Sequence, residues 1–346
     1  MPLRKDIIMH SSRTLNSPAV AIWLWAIAFL ILCMVIVGGA TRLTDSGLSI
    51  TEWKPLLGAI PPLSEAHWLE AFDKYKLIPE YQVQNKGMSL EDFKFIYWWE
   101  WAHRFLGRFI GFAFVIPLVV FIVTKRIASS LWPRLIALFV LGGLQGALGW
   151  YMVSSGLSER VDVSQYRLSA HLTLATTLFA AIVYTALTLK RGPRRPSWWG
   201  SGLALSFAAL LFVQVAAGGF VAGLDAGHAA YDWPTMNGQW LPDGLQSMQP
   251  LWRNWFENAL AVQFNHRILA YVLFALALVQ SFLLRQRSSF VVLLAVLAQI
   301  LLGISTVLGE VKLHTALAHQ ATAMILLAFA IRHYVVVSRG PVPDRR

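Results

Sequence analysis

Cysteine is almost absent from this chain: Cys33 is the only one among 346 residues, and it lies inside an apolar run. No intramolecular disulfide can form, and a thiolate metal site has no second sulfur to use. Charge is scarce as well. Asp, Glu, Lys and Arg make up 14% of the residues against 56% hydrophobic, and mean hydropathy is +0.55. A water-soluble domain of this size does not have that composition. Acidic residues are the scarcer kind, 18 against 29 basic, for a net charge of +11. That excess excludes neither lipid nor protein partners, but it is no nucleic-acid footprint. The basic residues lie between apolar segments rather than in one patch, and read as topology signals.

Long hydrophobic runs are what the chain has in quantity. The first, from Ala19 to about Val37, follows Arg4, Lys5 and Arg13. It is long for the core of a signal peptide and lacks a small-x-small cleavage site. Further runs fall near 98–124, 134–153, 168–189, 201–222, 259–284, 289–309 and 315–337. Each is long enough to cross about 30 Å of hydrocarbon. Basic residues follow alternate runs: Lys125, Arg126 and Arg134; Lys190, Arg191, Arg194 and Arg195; Arg285 and Arg287; Arg339, Arg345 and Arg346. The positive-inside rule puts these and both termini on the cytoplasmic side, and segments 41–97 and 223–258 outside. In the first outer segment Ser64 and Ser89 read as helix N-caps, with Trp68, Phe72 and Tyr75 on one face. Such pieces either lie on the membrane or roof a cavity in the bundle.

The chain repeats itself. Gly38-Gly39 through Asp45-Ser46-Gly47 matches Gly218-Gly219 through Asp225-Ala226-Gly227 at a shift of 180. His103-Arg104 matches His266-Arg267, Gln145 to Gly149 matches Gln299 to Gly303, and His171 matches His319. Matching runs point the same way, so the repeat is parallel. The expected fold is an all-α integral membrane protein of eight transmembrane helices, arranged as two tandem-repeated four-helix bundles. The basic, proline-containing stretch 190–200 divides it into halves 1–190 and 191–346.

Four histidines share one depth. His103 is 22 residues before Lys125, His171 19 before Lys190, His266 19 before Arg285 and His319 20 before Arg339. Each interval is about 30 Å of helix, which places all four imidazoles near the outer surface. Two histidines from facing helices in one small bundle suit a haem iron with two axial imidazoles. Zinc usually takes more ligands than either pair offers. Small residues (Gly107, Ala175, Ala270 and Ala323) stand one turn further in and leave room for a flat macrocycle. Arg104, Arg108 and Arg267 are either interfacial anchors or partners for haem propionates. A histidine bonding a neighbouring helix is the plainer reading of any one site; four at one depth make it a poor reading of all. His10, His67, His228, His314 and His333 are expected to be solvated or interfacial. The glycine pairs, with Gln145 and Gln299, read as packing features.

Glu100-x-x-His103-Arg104, His171, Asn265-His266-Arg267, His319 and the eight-span duplicated layout together resemble the haem A synthase family, over about residues 19–337. The resemblance implies oxidation of a methyl group of haem O to a formyl group, by successive hydroxylations with water as the suggested oxygen source, giving haem A for terminal oxidases. It implies that His103 and His171, with Arg104 and Arg108, face the substrate haem O. His266 and His319, with Arg267, would then hold a haem b cofactor. A bacterial inner membrane and delivery by a haem O synthase are the implied setting; the electron acceptor and any homo-oligomer are left open. Gram-positive members carry a cysteine pair in the first outer loop, which this chain lacks. It is therefore similar to the proteobacterial and mitochondrial branch.

One asymmetry bears on mechanism. Glu100 lies a helical turn outward of His103, while Gln263 holds the matching place beside His266. Only the first can accept a proton, which makes Glu100 the candidate catalytic residue, as base or as electrostatic stabiliser, and the first half the candidate for chemistry. A bis-histidine dihaem electron-transfer cytochrome is the alternative, and leaves that difference and the long outer loop unexplained. A transporter would place its ionisable residues nearer the midplane.

Overall fold

The protein is described here from a computed structural model covering residues 18–54, 57–157, 160–189 and 198–338. The basic residues Arg4, Lys5, Arg13, Lys190, Arg191, Arg194, Arg195, Arg339, Arg345 and Arg346, with His10, lie outside the described residues. In chain order the helices are α1 (Pro18–Leu43), α2 (Glu65–Tyr75), α3 (Pro79–Val83), α4 (Leu90–Val123), α5 (Trp132–Val153), α6 (Gln165–Thr188), α7 (Trp198–Gly223), α8 (Ala259–Leu284), α9 (Arg287–Leu308) and α10 (Leu313–Val337). All except α2 and α3 are long and apolar enough to cross a membrane, and no strand forms among the described residues. The protein is an all-helical, multi-pass membrane protein.

Two rings of neighbours organise the long helices. α1 packs on α4, α4 on α5, α5 on α6 and α6 back on α1; α7, α8, α9 and α10 close a second ring in the same order. The rings meet through α6 on α7, α1 on α10 and α6 on α10. One apolar core runs through both, from Leu24, Ile27 and Phe121 to Phe207, Val292 and Leu327. In this setting a polar side chain must find a partner nearby, since lipid offers none. Trp23 Nε1 accordingly donates to the Ala113 carbonyl at 2.9 Å, tying α1 to α4.

Glycine pairs let the rings come close. A Cβ on Gly39 would stand 1.8 Å from Gln320 Oε1 on α10, and one on Gly219 would stand 2.7 Å from the Ser169 Cα on α6. The turns that follow also match, since Asp45 and Asp225 both take a left-handed backbone, φ 48° and 49°. Aspartate tolerates that region better than most residues.

The second long helix begins at Leu90 rather than near 98. Ser89 Oγ accepts the Asp92 amide at 3.1 Å, and Glu91 and Asp92 in the first turn complement the helix dipole. The added turns carry a roof. Phe93 stacks on Phe72 of α2 with ring centroids 4.9 Å apart, and Tyr97 meets Trp68 edge-on at 4.9 Å. Ser64 caps α2 by accepting the His67 amide at 3.3 Å. Of the two positions open to α2, packing over the first ring is the one adopted.

His333 departs from expectation. His67, His228 and His314 are exposed, but His333 is only 1% exposed. Its Nδ1 lies 2.9 Å from Ser288 Oγ on α9.

Candidate functional site

His103, His171, His266 and His319 each rest on a glycine of the preceding long helix. A Cβ built on Gly38 would fall 2.7 Å from His103 Cε1, and one on Gly149 2.9 Å from His171 Cε1. The same construction gives 3.3 Å for Gly218 against His266 and 2.9 Å for Gly303 against His319. Any larger residue at these places would displace the ring. His103 and His171 lie within electrostatic range of each other, and so do His266 and His319. The two rings therefore bring the histidines together as two pairs.

A glutamine precedes three of the four glycines by one turn. Gln145 Nε2 donates to the His171 carbonyl at 3.0 Å and lies 3.3 Å from His171 Nε2. Gln214 does the same for His266, at 3.1 Å to the carbonyl and 3.3 Å to the ring. Gln299 does so for His319, at 3.0 Å and 3.2 Å. Sequence reasoning singled out Gln145 and Gln299 for packing alone and missed Gln214. The four-residue spacing from Gln to Gly, shared by α5, α7 and α9, was the signal available.

Glu100 is 3% exposed and fully engaged. Its Oε2 accepts from Ser49 Oγ at 2.7 Å and from the Ile50 amide at 2.6 Å, while Oε1 pairs with Arg104 at 2.6 Å. Arg104 also donates to the carbonyls of Ile50 and Glu52, at 2.8 and 3.1 Å. Together these bonds fasten the loop after α1 onto α4. In the second ring the polarity is reversed. Gln263 Nε2 donates to the carbonyls of Gly227 and Ala230 at 3.1 and 3.0 Å, and Arg267 donates to those of Asp232 and Thr235, both at 2.9 Å. Gly238 N–H, the Thr235 hydroxyl and Asn237 N–H all donate to Asp232, which holds its carboxyl down at about 2 and fixes that loop. The Glu/Gln difference thus matches an amide facing α4 in one loop and carbonyls facing α8 in the other.

Arg108 donates to the Lys54 carbonyl at 3.0 Å. Arg267 Nε is buried without a partner, as are Nδ1 of His103 and of His171. Among the described residues no cluster of three or more His, Cys, Asp or Glu could hold a bare metal ion. Two imidazoles on facing helices, each in a glycine cradle, fit an iron whose other ligands come from a porphyrin.

The sequence profile of the COX15-CtaA family, described as cytochrome oxidase assembly protein, matches residues 21–331. The chain belongs to that family. It is 52% identical over 323 residues to a heme A synthase of Parvibaculum lavamentivorans, covering 92% of this chain and 94% of that one. It is also 52% identical over 326 residues to the heme A synthase of Azorhizobium caulinodans, covering 91% and 93%. A third relative, the heme A synthase of Bradyrhizobium diazoefficiens, is 50% identical over 325 residues and 90% of each chain. All four histidines fall inside the family match.

Proposed function

We propose that this protein is a haem A synthase, oxidising a methyl group of haem O to the formyl group of haem A. Residues 1–190 form the half that takes haem O, which His103 and His171 would hold. Residues 191–346 form the half that holds haem b on His266 and His319. Bound haem b supplies a one-electron redox centre. The observation that carries the reading is the repeated cradle, a histidine seated on a glycine of the preceding span, four times in one chain of this family.

Turning methyl into formyl with oxygen from water removes four electrons and releases four protons. The chain's own residues supply the proton-handling surroundings. Glu100 stands a turn from His103 and is the carboxylate of that rim, with the Ser49 hydroxyl donating to its Oε2. Arg104 orients this carboxylate through their ion pair. The unpaired Arg267 Nε, and Arg108 at the matching rim, are cations for the carboxylate groups of a bound porphyrin. The apolar core beneath excludes water from the deeper face of either site.

The loop-bearing end faces the periplasm of an inner membrane, both termini are cytoplasmic, and haem O arrives within the membrane from a haem O synthase. Co-expression with a haem O source, followed by mass spectrometry of extracted haems, tests the activity. Haem A is the expected product. Two assembled bis-histidine haems with no haem A would instead make the protein an electron-transfer cytochrome.

A further inference from the structure

The end of the first ring away from the histidines holds an open cavity of about 200 Å³ between α5 and α6. One water needs roughly 10–15 Å³, so a group of several atoms has room there. Ser130, in the turn before α5, and Arg134 line one wall; Thr185 and Thr188 of α6 line the other. Both threonine protons are committed, Thr185 Oγ1 donating to the Ala181 carbonyl at 2.7 Å and Thr188 Oγ1 to the Tyr184 carbonyl at 2.8 Å. The side chains of Ser130 and Arg134 make no hydrogen bond or ion pair among the described residues. The guanidinium has only the Tyr184 ring, 5.9 Å away. No carboxylate is at hand, since the sequence has no Asp or Glu between Glu100 and Glu159 or between Asp162 and Asp225. Nor does the fold force a cavity here. At the offsets that align Gln145 with Gln299 and His171 with His319, Arg134 corresponds to Ser288 and Thr185 to His333. In the second ring that corner is filled: Ser288 and His333 are 6% and 1% exposed, and Ser288 Oγ lies 2.9 Å from His333 Nδ1.

We propose that this corner of the first ring binds the phosphate headgroup of an anionic phospholipid on Arg134 and the Ser130 hydroxyl. A guanidinium without a protein anion takes a phosphate through paired N–H bonds, and basic pockets between spans are where such headgroups seat. The threonine oxygens, their protons already given to carbonyls, accept from a headgroup hydroxyl or a bridging water. Lipid fits better than free phosphate because α5 stays bare inward of the cavity. Ala137, one turn from Arg134, and Leu144, two turns further, are exposed on one face and offer acyl chains an apolar track. The site lies at the opposite end of the ring from His103 and His171 and does not depend on which haem they hold.

In the test, full-length protein freed of lipid in detergent is titrated with phosphatidylglycerol, phosphatidylcholine or inorganic phosphate, and bound species are counted by native mass spectrometry. Wild type should take up one phosphatidylglycerol more tightly than any further one. Arg134→Ala should weaken that first binding about ten- to a hundredfold, the scale of a hydrogen bond to a charged group. Ser130→Phe keeps every charge but fills the cavity, and should weaken it as much. Arg332→Ala removes an exposed cation of α10 that does not line the cavity. It should cost no more than about fivefold, the scale of one charge near an anionic lipid surface. Unchanged binding in Ser130→Phe overturns the proposal, and so does equal weakening by Arg134→Ala and Arg332→Ala. Phosphatidylcholine bound as tightly, or inorganic phosphate displacing the lipid at equal concentration, overturns the choice of an anionic lipid. Should Arg134→Ala not fold, Ser130→Phe decides by itself.

Discussion

Arg42 donates through Nε to the Ala222 carbonyl at 3.1 Å, and these two residues are each other's counterparts at the 180-residue shift. One copy of the repeat thus supplies the cation and the other the acceptor. The guanidinium also pairs with Asp225 at 2.7 Å, Asp45 at 2.9 Å and Asp162 at 3.6 Å, and is only 12% exposed. Burial, together with the carboxylates of Asp162 and Asp225, raises the Asp45 carboxyl above its ordinary value, against the pull of Arg42. Removing the guanidinium would leave three carboxylates facing one another across the seam between the rings.

Arg42→Ala should therefore lower stability by about 2–3 kcal/mol, the scale of a lost charge-assisted contact with its partners left behind. Thermal unfolding in detergent would read it as a lower midpoint. An unchanged midpoint would show that the seam is held by the apolar core alone.

The second-half histidines give the most direct spectroscopic prediction. His266→Ala or His319→Ala should each abolish the low-spin haem b spectrum while the protein still inserts. A bis-imidazole spectrum that survives in both variants would refute them as ligands.

Glu100→Gln replaces an acceptor of three donors by an amide that must turn its N–H groups either to Arg104 or to the Ile50 amide. Conversion to haem A should fall about a hundred- to ten-thousandfold while haem b is retained, with haem O or a hydroxylated intermediate accumulating. Gln263→Glu sets a carboxylate against the Gly227 and Ala230 carbonyls and should destabilise by about 1–3 kcal/mol without raising activity. Normal turnover by Glu100→Gln would reduce Glu100 to a clamp for the loop.

Glu80 offers a pH test of the roof. Only 3% exposed and taking a hydrogen bond from Tyr75 at 2.8 Å, it is pushed by burial from 4.5 up to about 8. The folded protein holds a proton there that the unfolded chain releases, so this group's contribution to stability falls as pH rises from about 4.5 to about 8 and levels off above. Glu80→Gln should flatten that part of the profile and stabilise the protein most at the alkaline end. Parallel unfolding-midpoint profiles for variant and wild type would exclude it.

Topology is open to labelling. Cysteines at Ser64 and Gly244 should react with an impermeant reagent from the periplasmic side, and one at Ser130 only after the membrane is opened. Labelling of all three from one side would rule out the assigned orientation.

The sequence by itself determined the eight spans, the caps at Ser64 and Ser89, the family resemblance and the short list of ionisable residues inside apolar runs. These are one-dimensional properties. Span length follows from the thickness of hydrocarbon, and a charge inside a span stands out because it is expensive there. Tertiary structure decided what each of those residues faces. That Gly38 seats His103 and Gly39 makes room for Gln320 depends on the rotation of α1 between two neighbours, which no periodicity in α1 records. The same holds for Glu100, whose partners Ser49 and Ile50 are about fifty residues away, and for His333, buried by contacts from α9.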